Sequence, residues 1–238
     1  MEITLIHGQA HKGSTYNISS MVKEKLSNNN TVVHEYFMLK DAPSYCVGCF
    51  NCIFKDELKC PESEKVQKIL SSMLTSDIII IDSPTYCMEM TGQLKTLFDH
   101  FGYIWMSHRP RKEMFSKIGI VVSTAAGAGS KRVSKSIKNQ MFWWGVPQIY
   151  TLNLNVNASS WDEAFESMKN KIQEKVEKVS LKAKNNIDKE KFNIKTVVLF
   201  NIMRKMHSNN TWNETDKNYW DKNYLDKKTR PWRLGFGK

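Results

Sequence analysis

No run in the 238 residues is long and apolar enough to cross a bilayer. The longest, Ile78–Ile81 and residues 196–200, fall well short of the 18 or more residues that a span requires. The opening Met-Glu-Ile-Thr-Leu-Ile lacks the basic start, apolar core and small-residue cleavage site of a secretory signal, so a cytoplasmic address is expected. Glycine (11) and proline (6) are too few for a collagen-like or low-complexity chain, and no internal repeat is present. Cysteine is limited to five residues, an odd number, and four of them crowd between Cys46 and Cys60. Without an export signal that pattern argues against a disulfide framework and for metal binding or redox work. What remains is ordinary globular composition, 41% apolar, 25% charged and 11% aromatic, at a length that suits one domain with an appendage. The formal charge of +11 favours anionic partners in general. Residues 1–160 hold 17 basic and 13 acidic side chains and residues 161–238 hold 18 and 11, so the excess gathers in the last third.

Strand patterns, short and rich in β-branched residues, occur at Ile3–Ile6, Thr31–Phe37, Ile78–Ile81, Ile118–Val122 and Ile149–Leu154. Most are apolar on both faces, as in a buried parallel sheet. Helical stripes lie between them: Ile18, Met21, Val22 and Leu26; Val66, Ile69, Leu70, Met73 and Leu74; Leu94, Leu97, Phe98 and Phe101. Residues 131–144 make a fourth, and Trp161, Ala164, Phe165, Met168, Ile172, Val176 and Val179 mark a long fifth that runs into the Lys182–Lys191 segment. Such alternation predicts an open doubly wound α/β fold, a five-stranded parallel sheet in the order 2-1-3-4-5. From about Asn193 the pattern changes to an apolar helix, Ile194–Met206, and a polar tail containing Trp212, Tyr219, Trp220, Tyr224, Trp232 and Phe236. Residues 191–238 are therefore expected to form a helical and irregular C-terminal extension.

Ligands of such sheets bind at the carboxyl ends of the strands, beside the first strand. The loop there is His7-Gly8-Gln9-Ala10-His11-Lys12-Gly13-Ser14-Thr15-Tyr16-Asn17. It lacks Gly-x-Gly-x-x-Gly, and Ser14 stands where a Walker A lysine belongs, which disfavours dinucleotides bound in the Rossmann manner and nucleoside triphosphates. A hydroxyl-rich turn at a helix N-terminus suits a dianionic phosphate monoester, or Ser14 or Thr15 simply caps the helix. Two more loops follow the third and fourth strands: Asp82-Ser83-Pro84-Thr85-Tyr86-Cys87-Met88, continuing to Met90-Thr91-Gly92-Gln93-Leu94-Lys95 and Phe98-Asp99, and Ser123-Thr124-Ala125-Ala126-Gly127-Ala128-Gly129.

Together the three loops resemble those of the flavodoxin-like NAD(P)H-dependent FMN oxidoreductases, over about residues 1–160. The resemblance implies a flavodoxin-like FMN-binding domain at residues 1–190. It places the phosphate against Gln9, His11, Ser14, Thr15 and Tyr16, and the flavin ring against Pro84, Thr85, Tyr86, Cys87 and Met88 on one side and Thr124, Ala125 and Gly127 on another. Many relatives begin Gly-Ser-x-Arg where this chain has Gly8-Gln9-Ala10-His11, so His11, Lys12 or backbone amides must replace the arginine.

The four crowded cysteines read Cys46-x2-Cys49-x2-Cys52-x7-Cys60-Pro61. Soft thiolates at this density suit an iron–sulfur cluster, in a spacing similar to bacterial ferredoxin ligation apart from its longer last gap. Zinc also accepts four thiolates, although its structural sites more often pair two separated Cys-x-x-Cys knuckles. Reduced or redox-active thiols without a metal are the third reading. The run resembles the compact motif of the iron–sulfur flavoproteins, which implies a 4Fe–4S cluster on Cys46, Cys49, Cys52 and Cys60.

His7 and His11 read as structural. His108 and Arg109 stand in a loop that either meets an anionic substrate or is a solvated basic segment, and Trp143 and Trp144 read as core or dimer contacts. The resemblances imply an oxidoreductase that carries electrons from NADH or NADPH through FMN to a small acceptor such as a quinone, nitro or azo compound. The alternative is an iron–sulfur flavoprotein electron carrier, and the non-enzymatic alternative is a basic binding module. A homodimer or homotetramer is expected, nucleic acid is not, and the tail aromatics are expected to anchor on this chain's own domain or a dimer partner.

Overall fold

In the computed structural model, residues 1–156, 158, 160–187, 189, 193–226 and 229–233 are described. Phe236 and Lys191, named above, lie outside the described residues. The β-branched runs form β1 (Glu2–His7), β2 (Val32–Phe37), β3 (Ile78–Pro84), β4 (Ile118–Ala125) and β5 (Gln148–Asn155). All pair in parallel in the order β2-β1-β3-β4-β5, the order predicted from the sequence. Register follows the apolar runs, with Ile3 beside Val33 and Ile78, and Ile80 beside Ile120.

Side chains alternate across a strand, so the sheet has two apolar faces. One face, with Ile6, Ile79, Ile81 and Val121, is covered by α3 (Ser63–Thr75), α4 (Gly92–His100) and α5 (Ser130–Trp143). The other, with Ile3, Leu5, Ile78, Ile80 and Ile120, is covered by α1 (Ser14–Leu26) and α6 (Glu166–Lys184). Each fully buried aliphatic side chain contributes about 1.5–3 kcal/mol, which makes this double-sided burial the main stabiliser. A short α2 (Asn51–Phe54), followed by a 3-10 turn at Glu57–Lys59, lies in the cysteine segment.

The fifth helix begins at Glu166, later than its apolar stripe predicts. Trp161 and Ala164 pack on the core from a turn that precedes Phe165, whose backbone is still non-helical at ψ 141°. The tail is more ordered than predicted. After α7 (Ile194–Ser208) comes α8 (Glu214–Asn223), and Phe200, Met203, Trp220, Tyr224 and Trp232 form a third cluster against Met106 and Phe115. These aromatics point into the chain's own domain. Among the described residues, no helix is long and apolar enough to cross a membrane.

Candidate functional site

The loop after β1 is positioned by a buried polar network. The Gly8 amide donates to the Asp82 carbonyl at 2.8 Å, and a Cβ at Gly8 would lie 2.7 Å from that oxygen, so only glycine allows this approach. Asp82, 2% exposed, accepts from the Ser19 hydroxyl at 2.5 Å and faces His7 Nδ1 at 2.5 Å, while His7 Nε2 meets Glu35 at 2.9 Å. Burial disfavours the charged imidazole, but the hydrogen bonds and charges of Asp82 and Glu35 outweigh it and raise the His7 pKa. His7 is a scaffold residue, as read from the sequence.

The loop opens onto α1 through Gly13, and no side chain caps the helix. Ser14 and Thr15 therefore leave the first-turn amides open rather than capping them, with no acidic residue in that turn. The His11 ring lies over Gly13, within 2.9 Å of where a Cβ would stand. Thr15 Oγ1 and Thr124 Oγ1 meet at 2.6 Å, a buried tie between the loops after β1 and β4.

The loop after β3 turns back on itself. Tyr86 and Glu89 bridge, and both central residues, Cys87 (φ 49°) and Met88 (φ 67°), are left-handed. That is the backbone of a tight hairpin turn built without its usual Asn-Gly, and such strain is typical of ligand-holding loops. The Thr85 hydroxyl oxygen is buried with no hydrogen-bond partner, and Gln9 Nε2 donates to the Tyr86 hydroxyl at 3.3 Å.

These parts enclose a cleft of about 240 Å³. Of the residues predicted from sequence, Gln9, His11, Ser14, Thr15, Tyr16, Pro84, Thr85, Tyr86, Thr124 and Ala125 line it. Cys87, Met88 and Gly127 do not: the first two form the exposed turn tip and Gly127 is exposed beyond β4. Gly13, Asp82, Ala126, Val156 and Ala158 also line it and were missed. Val156 and Ala158 follow β5, a strand end that carries no loop signature.

The cysteines form a second locus. Cys46 and Cys49 are exposed, Cys52 and Cys60 half-buried, and none is in a disulfide. Burial, joined by the charges of Cys60, Cys46 and Cys49, pushes the Cys52 thiol up to about 11. Burial likewise raises Cys60, which also feels Cys49 and Cys46. The Cys52 thiol thus has the other three thiols of the motif as neighbours. Among the described residues, no group of three or more His, Cys, Asp or Glu side chains forms a site for a single metal ion. A zinc ion would need sulfurs about 3.8 Å apart, from its Zn–S distance of about 2.3 Å. An all-thiolate donor set is the chemistry that iron–sulfur clusters use.

His100, which the sequence did not single out, orders this segment. Its Nε2 donates to the Ser44 carbonyl at 2.9 Å, so in the neutral ring Nδ1 accepts from the Cys60 thiol at 3.4 Å. A cavity of about 550 Å³ opens beside Cys46 and Cys52, walled by Phe50, Phe54, Trp105 and Trp212. Arg109 is neither a substrate anchor nor a solvated cation. It is 3% exposed and paired with Asp216 at 2.7 Å, while Asp216 also meets His108 Nδ1 at 2.6 Å.

A sequence model of the NADPH-dependent FMN reductases matches residues 1–160. The chain belongs to that family. Among curated relatives of this FMN reductase family member are an iron-sulfur flavoprotein of Archaeoglobus fulgidus and one of Clostridioides difficile. The first is 27% identical over 135 residues, covering 56% of this chain and 59% of the relative. The second is 27% identical over 185 residues, covering 76% and 77%. The chain thus spans about three fifths of the first relative's length. An azoreductase from Bacillus anthracis shares the fold at a TM-score of 0.61 and 16% identity, over 76% of this chain and 99% of that one. An NAD(P)H:quinone oxidoreductase from Methanothermobacter marburgensis does so at 0.59 and 13%, over 76% and 95%. The fold is flavodoxin-like α/β.

Proposed function

We propose that the chain is an FMN-dependent NAD(P)H oxidoreductase that passes electrons from a nicotinamide nucleotide to a small acceptor, a quinone, nitro or azo compound. The observation that carries this reading is the single cleft at the ends of β1, β3 and β4. There the uncapped start of α1 and the unpartnered buried Thr85 hydroxyl lie together. Family membership supports the same ligand. Bound FMN supplies hydride acceptance and onward electron transfer. The chain's own residues bind and orient. Ser14, Thr15 and the first amides of α1 hold the phosphate, with Gln9, Tyr16 and His11 around it. Pro84, Thr85 and Tyr86 flank the ring on one side, on the turn shaped by Cys87 and Met88, and Thr124 and Ala125 on the other. Hydride transfer depends on stacking and position more than on a protein acid or base, and no residue is given a catalytic role.

Titration of flavin-free protein with FMN, followed by flavin fluorescence, tests the assignment. Hydrogen bonds to a charged group contribute about 1.5–3 kcal/mol each, so the Ser14→Ala, Thr15→Ala double variant is expected to bind at least about 100-fold more weakly. Unchanged affinity would remove the phosphate assignment.

A second reading adds a 4Fe–4S cluster on Cys46, Cys49, Cys52 and Cys60, making the chain an iron–sulfur flavoprotein electron carrier. The four free cysteines of one short segment and the names of the curated relatives support it. Iron and acid-labile sulfide in that stoichiometry after anaerobic purification test it. Free cysteines suit a cytoplasmic location. A homodimer or homotetramer is supported by α7, whose Ile194, Val198, Ile202 and Met206 form an exposed ridge at four-residue spacing. Antiparallel pairing of two such ridges brings Lys195 towards Lys205, so association measured by light scattering is expected to strengthen with salt.

A further inference from the structure

Among its described residues the extension adds no strand to the sheet, yet its polar side chains converge on one target, the end of α2 that carries Cys52. A helix of four residues, Asn51–Phe54, cannot satisfy its own last carbonyls. Four donor contacts reach them from outside. Arg109 Nη2 donates to the Cys52 carbonyl and its Nη1 to that of Ile53 at 3.1 Å. Asn213 Nδ2 donates to the same Ile53 carbonyl at 3.2 Å, and Thr215 Oγ1 to the Phe54 carbonyl at 2.8 Å.

Asp216 is the hub behind these donors. One of its oxygens takes Arg109 Nη1 at 2.7 Å, and the other takes His108 Nδ1 at 2.6 Å and Asn213 Nδ2 at 2.9 Å. It is 1% exposed. Asn213 serves twice, since its Oδ1 also caps α8 by accepting from the Asp216 amide. Trp212 closes the contact edge-on against Phe54, with ring centroids 5.1 Å apart.

We propose that the C-terminal extension is a clasp for the cysteine loop. In it Asp216, acting through Arg109, is the positioning residue that keeps Cys52 in place beside Cys46, Cys49 and Cys60 for an iron–sulfur cluster. The inference rests on the second reading above. Without the Asp216 charge, the buried guanidinium keeps only the more distant Glu57 carboxylate, at 3.5 Å, and its hold on the α2 carbonyls weakens. A helix this short does not persist alone, so Cys52 loses its place. Cys46 and Cys49, already exposed, change little, and the flavin cleft shares none of these contacts.

The test is Asp216→Asn, read in two ways. In metal-free protein, iodoacetamide labelling of Cys52 is followed by fragment-ion mass spectrometry, with Cys46 and Cys49 as internal references. Cys52 is expected to label about ten-fold faster than in the parent, as local opening becomes easier. In protein purified without oxygen, iron and acid-labile sulfide per chain are expected to fall by more than half while bound FMN stays unchanged. Equal protection of Cys52 in parent and variant overturns the clasp, whatever the iron content. Faster Cys52 labelling with no iron in either protein leaves the clasp but overturns its role towards a cluster, and with it the second reading. If Asp216→Asn does not fold, Thr215→Val removes one donor at an exposed site. It is expected to speed Cys52 labelling by a smaller factor, and an unchanged rate there refutes the proposal.

Discussion

Replacing Asp82 by Asn tests how the first loop is held. The carboxylate accepts from the Ser19 hydroxyl and from the Gly8 amide and faces the fully buried His7 ring. An amide keeps the shape but removes the charge that most raises the His7 pKa, leaving Glu35, at 28% side-chain exposure, as the remaining acidic partner. Loss of a charged hydrogen bond costs about 1.5–3 kcal/mol, and a weakened second bond brings the total to about 2–4 kcal/mol. For a chain of this size Tm falls by about 2–4 °C per kcal/mol, so a drop of roughly 5–15 °C is expected by calorimetry. The sign with pH follows from the raised His7 pKa. A group raised in the native state contributes its full stability below the unfolded value of 6.5, and that contribution disappears as pH rises through the native value. The gap between parent and variant is therefore expected to be widest at pH 6 or below and to narrow in alkaline solution. A gap that is absent, or that widens as pH rises, would refute the charged Asp82–His7 account.

Phe200→Ala removes the fully buried ring that meets Phe115, Trp220, Tyr224 and Trp232, and denaturant titration is expected to show a loss of about 3–5 kcal/mol. Gly129→Ala forces a Cβ to 2.6 Å from Thr85 Cγ2 at φ 104°, so both Tm and FMN affinity are expected to fall. Cys87→Asn places a residue more tolerant of left-handed backbone at φ 49°, and a gain of about 0.5–1 kcal/mol is expected in the same titration.

The strands were legible because runs such as Ile78–Ile81 are apolar on both faces, a pattern with few structural solutions. The three loops were legible because Gly8, Pro84 and Gly127 punctuate the strand ends. The start of α6 was misplaced because an apolar 3.6-residue spacing reads the same in a turn that packs against the core, as at Trp161 and Ala164. No periodic signal marks α8, whose sequence Glu-Thr-Asp-Lys-Asn-Tyr-Trp-Asp-Lys-Asn is mostly polar, and its burial of Asp216 and Trp220 comes from tertiary contacts. Arg109 looked like a surface cation because its partner Asp216 lies 107 residues away. His100 escaped notice for the same reason, since Cys60 and Ser44 reach it only in the fold.

Whether the cleft holds FMN that a nicotinamide nucleotide reduces is read from the visible spectrum of protein purified without oxygen. The absorption of an oxidised flavin is expected, bleached on adding NADPH or NADH and restored by a quinone. Protein that stays colourless after FMN is added, or bound flavin that neither nucleotide bleaches, would contradict it.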